Sequence, residues 1–166
     1  PLPGDWQGLS FQPGSSGNLE YASVEFAQTG LNLADADVSV SNSTVTASQM
    51  DGIAAGAGSS LSLMDNTLAG NGRYALNNQT TTSVEATGTW WGHASGPEGL
   101  GDAVSGSVDY SSWRTDPGFN DGWKHAAVLN PGSHSFPISS YQDLDWFRIP
   151  VGTRNATITA TLTLLP

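Results

Sequence analysis

Gly30-Leu31-Asn32-Leu33-Ala34-Asp35-Ala36-Asp37-Val38-Ser39-Val40-Ser41-Asn42-Ser43-Thr44-Val45 holds the pattern that decides the fold. A glycine opens a short apolar run. A Val-Ser-Val triplet then alternates apolar and polar, and another apolar residue follows five positions beyond it. Working outward, the same unit recurs. Gly8, Gly30, Gly52 and Gly72 stand 22, 22 and 20 residues apart, ahead of Leu9 and Phe11, Leu31 and Leu33, Ile53 and Ala55, and Tyr74 and Leu76. The triplets are Leu19-Glu20-Tyr21, Val38-Ser39-Val40, Leu61-Ser62-Leu63 and Val84-Glu85-Ala86, closed by Phe26, Val45, Leu68 and Trp91. Alternation at period two predicts short strands with one inward face. A period near 20 residues predicts a solenoid of stacked coils, because no single coil can bury its own apolar face. Leu19, Val38, Leu61 and Val84 are then expected to lie one above another.

The composition agrees with stacking. Charged residues make up 12% of the 166 residues, about half the usual share. Like charges aligned in register between coils would repel, whereas Ser, Thr, Asn and Ala stack without penalty. The net charge of −10, from 15 acidic and 5 basic residues, argues against nucleic acid and uronate-rich polysaccharide as partners. Neutral glycans and divalent cations remain compatible. The chain has no cysteine, which removes disulfides, thiolate chemistry and cysteine-based zinc sites. No apolar run is long enough to span a bilayer, so no membrane insertion is expected. The opening Pro1-Leu2-Pro3 without an initiator Met is that expected of a processed segment.

The coil joints carry turn chemistry: Pro13-Gly14-Ser15-Ser16-Gly17-Asn18, Asp51-Gly52, Gly58-Ser59-Ser60 and Gly70-Asn71-Gly72. Ser23, Asn42 and Asp65 align at one polar position, followed by Val24, Ser43 and Asn66, as a ladder of stacked side chains would. From Thr87 to Trp113 the character changes. Trp90-Trp91-Gly92, Gly96-Pro97, Gly101-Asp102-Ala103-Val104 and Val108-Asp109-Tyr110-Ser111-Ser112-Trp113 follow in order. This run resembles the last coils of right-handed parallel β-helix proteins of the pectate-lyase-like superfamily. The opening Gly4-Asp5-Trp6-Gln7-Gly8-Leu9-Ser10-Phe11 is similar to a coil of secreted bacterial β-helices. The resemblance spans about residues 4–114 and implies an extracellular or cell-surface protein. The tail, with Asp143-Leu144-Asp145-Trp146-Phe147-Arg148-Ile149 and the alternating Ala156 to Leu165, resembles the first strands of the pre-peptidase C-terminal β-sandwich, about half of it. The expected organisation is all-β: a short right-handed parallel β-helix of about four coils with an aromatic cap (1–115), a turn-rich linker (116–130) and partial sandwich-like strands (131–166).

The resemblance implies fold rather than activity. Lyases of that superfamily use an Arg or Lys base beside calcium-binding carboxylates, and hydrolases use clustered aspartates with a His and an Arg-Lys pair. The coils here hold one base, Arg73, and scattered acids at Asp35, Asp37, Asp51, Asp65 and Glu85. Neither arrangement supports β-elimination or glycoside hydrolysis by the usual routes. His93, His125 and His134 lie outside the coils, and no G-x-S-x-G elbow occurs. No catalytic residue is therefore assigned.

Binding candidates remain. Trp90, Trp91 and Trp123 offer aromatic faces for a neutral glycan, while Trp90 and Trp91 with Tyr110 and Trp113 suit a cap over the open apolar end better than a sugar platform. Asp116, Asn120 and Asp121, and the pair Asp143 and Asp145, supply oxygen ligands at short spacing for a calcium ion, without a full loop motif. Thr157, Ile158, Thr159 and Leu162 belong to an alternating segment suited to insertion into a neighbour's sheet. The expected function is that of a non-catalytic structural or adhesive module contacting neighbouring protein segments or identical subunits. The alternative is the C-terminal part of a polysaccharide lyase or hydrolase, or a glycan-binding module.

Overall fold

The computed structural model describes residues 1–116, together with 127–128, 147–148 and 150. The chain divides into two compact units, Pro1–Pro117 and Gly118–Pro166. In the second unit two short strands, Ala127–Val128 and Phe147–Arg148, pair in parallel. The first unit is a parallel β-solenoid of about four coils, and among the described residues no helix is found.

Each full coil contributes three short strands. The first coil supplies β1 (Leu9–Phe11), β2 (Ser16–Glu20) and β3 (Ser23–Glu25). The second supplies β4 (Leu31–Leu33), β5 (Asp37–Ser41) and β6 (Thr44–Thr46). The third supplies β7 (Ile53–Ala55), β8 (Ser60–Met64) and β9 (Thr67–Ala69). Strands β10 (Leu76–Asn78) and β11 (Val84–Thr87) follow, then the two-residue β12 (Val104–Ser105) and β13 (Val108–Asp109). They stack into three parallel sheets, β1-β4-β7-β10-β12, β2-β5-β8-β11-β13 and β3-β6-β9. Trp90 extends the third by a bridge to Thr67.

The alternating apolar residues form columns. Leu9 pairs with Leu31, Leu31 with Ile53 and Ile53 with Leu76, and the last three are fully buried. Val24, Val45 and Leu68 form a second column in the third sheet. Burying each such side chain contributes about 1.5–3 kcal/mol, and every column is shared between coils.

Two details of the expected stacking are corrected. Leu19 lies on Val40 and Leu63, not on Val38 and Leu61. The residue opposite Val38 is Gly17, and a Cβ there would come 2.5 Å from Phe11 Cε1. The Phe11 ring thus fills the space that a side chain at position 17 would otherwise take. The same two-residue slip moves Phe26 and Ser23 out of their expected columns: Val24 meets Val45, and Ser23 meets Thr44. The other correction concerns Gly72, which is not the fourth member of the glycine column. That place belongs to Ala75, whose carbonyl would stand 2.6 Å from a Cβ on Gly52. Gly30 and Gly52 are required because the next coil's carbonyl passes so close, not because of their φ.

Corners are turned by single left-handed residues. Tyr21 (φ 52°), Asn42 (φ 48°), Asp65 (φ 54°) and Gly88 (φ 64°) stack at one corner, and Phe26 (φ 60°), Ala47 (φ 54°) and Gly70 (φ 70°) at another. Asn and Asp tolerate this region, whereas Tyr21 and Phe26 adopt it at a cost of about 1–2 kcal/mol each, offset by the stacking of the coil.

Just inside the first corner runs a buried polar ladder. Ser43 Oγ accepts the Ala22 amide at 3.0 Å, and Asn66 Oδ1 accepts the Ser43 amide at 2.9 Å. Asn66 Nδ2 donates to the Val40 carbonyl at 2.8 Å. After the second corner Asn71 repeats the bracket: Oδ1 accepts the Ser48 amide and Nδ2 donates to the Val45 carbonyl. Asp102 Oδ2 then accepts the Asn71 amide at 2.6 Å. In each rung of these two ladders a later coil's side chain holds an earlier coil's backbone.

Candidate functional site

The two ends of the solenoid differ. At the C-terminal end Trp91 is fully buried, its ring edge-on to Tyr110 with centroids 6.5 Å apart. Tyr110 in turn lies 6.3 Å from Trp113, whose Nε1 donates to the Ala94 carbonyl. The Tyr110 hydroxyl donates to Glu98, which raises its pKa. The outermost strands here, β12 and β13, are two residues each, a short edge that resists further pairing.

At the N-terminal end no described residue covers the columns. Leu9 is 38% exposed, against 0% for Leu31 and Ile53 in the same column. Phe11 and Leu19 are half-buried, and Trp6 is 40% exposed, its indole donating to the Glu25 carbonyl. The outermost strand, β2, is among the longest in the solenoid. The Asp37 amide donates to the Ser15 carbonyl and the Tyr21 amide to the Ser41 carbonyl, so the odd-numbered peptide groups of β2 point toward β5. Alternation then aims the amides and carbonyls of Ser16, Asn18 and Glu20 away from β5, to a side on which no described strand pairs with β2. In β1 the same argument, from the Leu9 and Phe11 bonds to Gly30 and Ala34, leaves Ser10 facing outward.

The third cluster is ionic. The Asp51 carboxylate, 1% exposed, receives Nε of Arg73 at 2.7 Å and its Nη2, with Asn77 Nδ2 at 3.0 Å. Burial alone would push the Asp51 pKa up. The bonds from Arg73 and Asn77, the Arg73 charge and the Tyr74 backbone outweigh it and hold the carboxyl below its ordinary value. The guanidinium also lies 5.5 Å from the Tyr74 ring centroid. With every Asp51 oxygen engaged, the cluster braces adjacent coils. In the sequence Asp51 and Arg73 stand among scattered charges, because only the coil register brings residues 51, 73 and 77 together.

Of the aromatic candidates, Trp91 has no ring face open to a sugar, since it is buried against Tyr110. Trp90 is half-buried, and its backbone is tied to Asn66 and Leu68. Trp123 lies outside the described residues, as do Asn120, Asp121, Asp143, Asp145, Thr157, Ile158, Thr159 and Leu162. Asp116 is exposed. Among the described residues no group of three or more His, Cys, Asp or Glu is placed to hold a metal ion, and no helix is long and apolar enough to cross a membrane. Comparison with protein-family models, curated proteins and solved structures finds no match.

Proposed function

We propose that this chain is a non-catalytic structural module of a secreted or cell-surface protein, joined to neighbouring protein or to identical subunits through its N-terminal rung. One observation carries the reading: the first coil presents its long β2 edge, with exposed Leu9 and half-buried Phe11 and Leu19 that no described coil covers, while the opposite end is closed by Trp91, Tyr110 and Trp113. Unpaired, apolar-backed strand edges are the surfaces on which β-structure is added. The kinship with pectate-lyase-like β-helices belongs to the same proposal, supported by the Trp90-Trp91-Gly92 to Trp113 run. So does the likeness of the tail to a pre-peptidase C-terminal sandwich.

A glycan-binding module, or the C-terminal part of a polysaccharide lyase or hydrolase, is the competing reading, favoured by the half-buried Trp90. Two measurements on the full chain separate them. Sedimentation velocity over a range of concentrations reads assembly, and a glycan array repeated with Trp90→Ala and Trp123→Ala reads recognition. Concentration-dependent association with an empty array supports the structural module. Glycan binding abolished by either Trp substitution, or turnover of a polysaccharide, refutes it.

A further inference from the structure

The β2 edge matches itself. The peptide groups of Ser16, Asn18 and Glu20 point away from β5, to a side on which no described strand pairs with β2, and Asn18 is the midpoint of the strand. Turned about a two-fold axis through Asn18, β2 lies antiparallel to its own copy. Ser16 then stands opposite Glu20, Asn18 opposite Asn18 and Glu20 opposite Ser16. Residues so opposed exchange both of their N–H···O bonds in an antiparallel ladder. Every outward peptide group of β2 is met in this register, and any shift along the strand leaves some of them unmet.

Resting on the structural-module reading, we infer that the β2 edge is the two-fold face of a homodimer, β2 of one copy pairing antiparallel with β2 of a second about Asn18. The side chains agree on both faces. Gly17 and Leu19 point inward, opposite Val38 and Val40. Each Leu19 therefore falls opposite a Gly17 of the other copy, over which that copy's Phe11 ring lies, so the two leucines do not collide. Leu19 and Phe11, half-buried and covered by no described coil, gain apolar cover across the axis. On the outer face Glu20 is the one charged residue of the strand. Residues 1–117 carry 12 acidic and 2 basic residues, with no Lys or Arg before Arg73, so keeping like charges apart decides how two copies meet. Centring on Asn18 sets Glu20 against Ser16 and holds the two carboxylates at opposite ends of the ladder. The far end of a second copy fits less well, because β13 is two residues long and carries Asp109 beside Glu85. Tyr21, 71% exposed at its left-handed corner, comes beside Ser15 of the second copy. The segment ahead of β1 leaves β2 clear. Gly4 and Asp5 donate to the Phe26 carbonyl and Trp6 bridges Ala27, at the corner between β3 and β4. The copies meet along β2 and part at that corner.

The interior explains why such a join is separable. Ser43 and Asn66 clamp the coil before them at the first corner, and Asn71 does so at the second. Register assigns Ala22 and Ala27 to those two positions in the first coil. Neither has a side-chain polar group, so the second copy is held by backbone bonds and apolar cover alone. A two-fold join is closed, and assembly through it stops at the dimer.

The test uses the full chain in sedimentation velocity. Wild type is expected to form a dimer and nothing larger. The Asn18 amide points away from β5, so Asn18→Pro is expected to abolish the dimer without breaking the β2–β5 ladder, an unchanged melting curve showing that it folds. Asn18→Lys and Asn18→Asp each set like charges against one another on the axis. Each alone is expected to weaken association roughly threefold, and an equimolar mixture of the two to associate more tightly than either. Association lost with Asn18→Pro but growing past the dimer, or no tighter in the mixture, overturns the two-fold register and leaves the edge as the joining face. A monomer whose Ser16, Asn18 and Glu20 amides exchange rapidly overturns the homodimer, leaving the module with a different partner. A monomer in which those amides are protected, or association untouched by Asn18→Pro, overturns both.

Discussion

Replacing Asn66 with alanine tests the interior logic of the solenoid most directly. The side chain is fully buried and serves two backbone groups of the preceding coil, the Ser43 amide at 2.9 Å and the Val40 carbonyl at 2.8 Å. Alanine leaves both without a partner in a site closed to solvent. An unsatisfied buried group costs about 1–3 kcal/mol, so the pair amounts to roughly 2–6 kcal/mol. With a loss near 3 kcal/mol and about 4 °C per kcal/mol for a unit of this size, the melting temperature is expected to fall by about 12 °C. Urea unfolding followed by far-UV circular dichroism measures the loss, and hydrogen exchange at the Ser43 amide localises it. Ser62→Ala, on the outward face of β8, is the control and is expected to stay within about 0.5 kcal/mol. Asn66→Asp sharpens the test. It keeps an acceptor for the Ser43 amide, has a donor for the Val40 carbonyl only when protonated, and buries a carboxyl whose pKa must rise in the fold. Its stability is therefore highest at acid pH and is lost as pH rises through the folded-state value. An Asn66→Ala cost below about 1 kcal/mol with Ser43 still protected would refute the ladder as a source of stability.

Three further outcomes follow from the same geometry. Asp51→Asn removes the charge that Arg73 embraces and is expected to cost about 1.5–3 kcal/mol at neutral pH. Because the Asp51 pKa is lowered in the fold, its contribution is present above the unfolded carboxylate value and is lost as pH falls through the folded one. The gap between wild type and variant, followed by urea melts across the acid range, should therefore close, and a constant gap contradicts the assignment. Gly17→Val is expected to cost about 1–3 kcal/mol by driving a side chain into the Phe11 ring. Adding Phe11→Ala should recover part of that loss, and strictly additive effects would show that the ring does not fill the Gly17 space. Tyr110→Ala should free exchange at the amides of Val104 and Val108 while leaving Leu31 unchanged, since coils couple to neighbours. Uniform loosening across all coils would contradict that.

Much of the fold was legible because a solenoid writes its core as a repeat. The apolar alternation in Val38-Ser39-Val40, Leu61-Ser62-Leu63 and Val84-Glu85-Ala86 fixed both faces of the second sheet, and Trp91 fell in its column next after Leu68. The first coil misled for a physical reason. Its inward position opposite Val38 is a glycine, made so by Phe11 from another strand, and Tyr21 sits exposed at a left-handed corner where its apolar ring imitates a core residue. Gly72 misled likewise, matching the glycine spacing while Ala75 occupied the column. The Asp51, Arg73 and Asn77 cluster has no local motif at all. It exists only once the coil length is known to within a residue. Which peptide groups of the β2 edge face outward depends on bonds such as Tyr21 to Ser41, which no spacing rule supplies.

The direction of the internal ladders ties the two ends together. Ser43 holds Ala22, Asn66 holds Ser43, Asn71 holds Ser48, and Asp102 holds Asn71. At these corners each coil is held by the one after it, so the chain of restraint begins at the C-terminal end. The aromatic cap stands beside the residues on which the rest depend: Arg114 reaches Thr67 and the Asn66 carbonyl, and the Asp102 amide is bonded to the Trp91 carbonyl. The first coil receives these restraints and, with Ala22 and Ala27 in the clamping positions, passes none on. Its β2 edge can therefore be joined or left without breaking any bond of these ladders. A closed, bracing end and an open, unclamped one are what a module needs if it is to keep its own fold while exchanging partners.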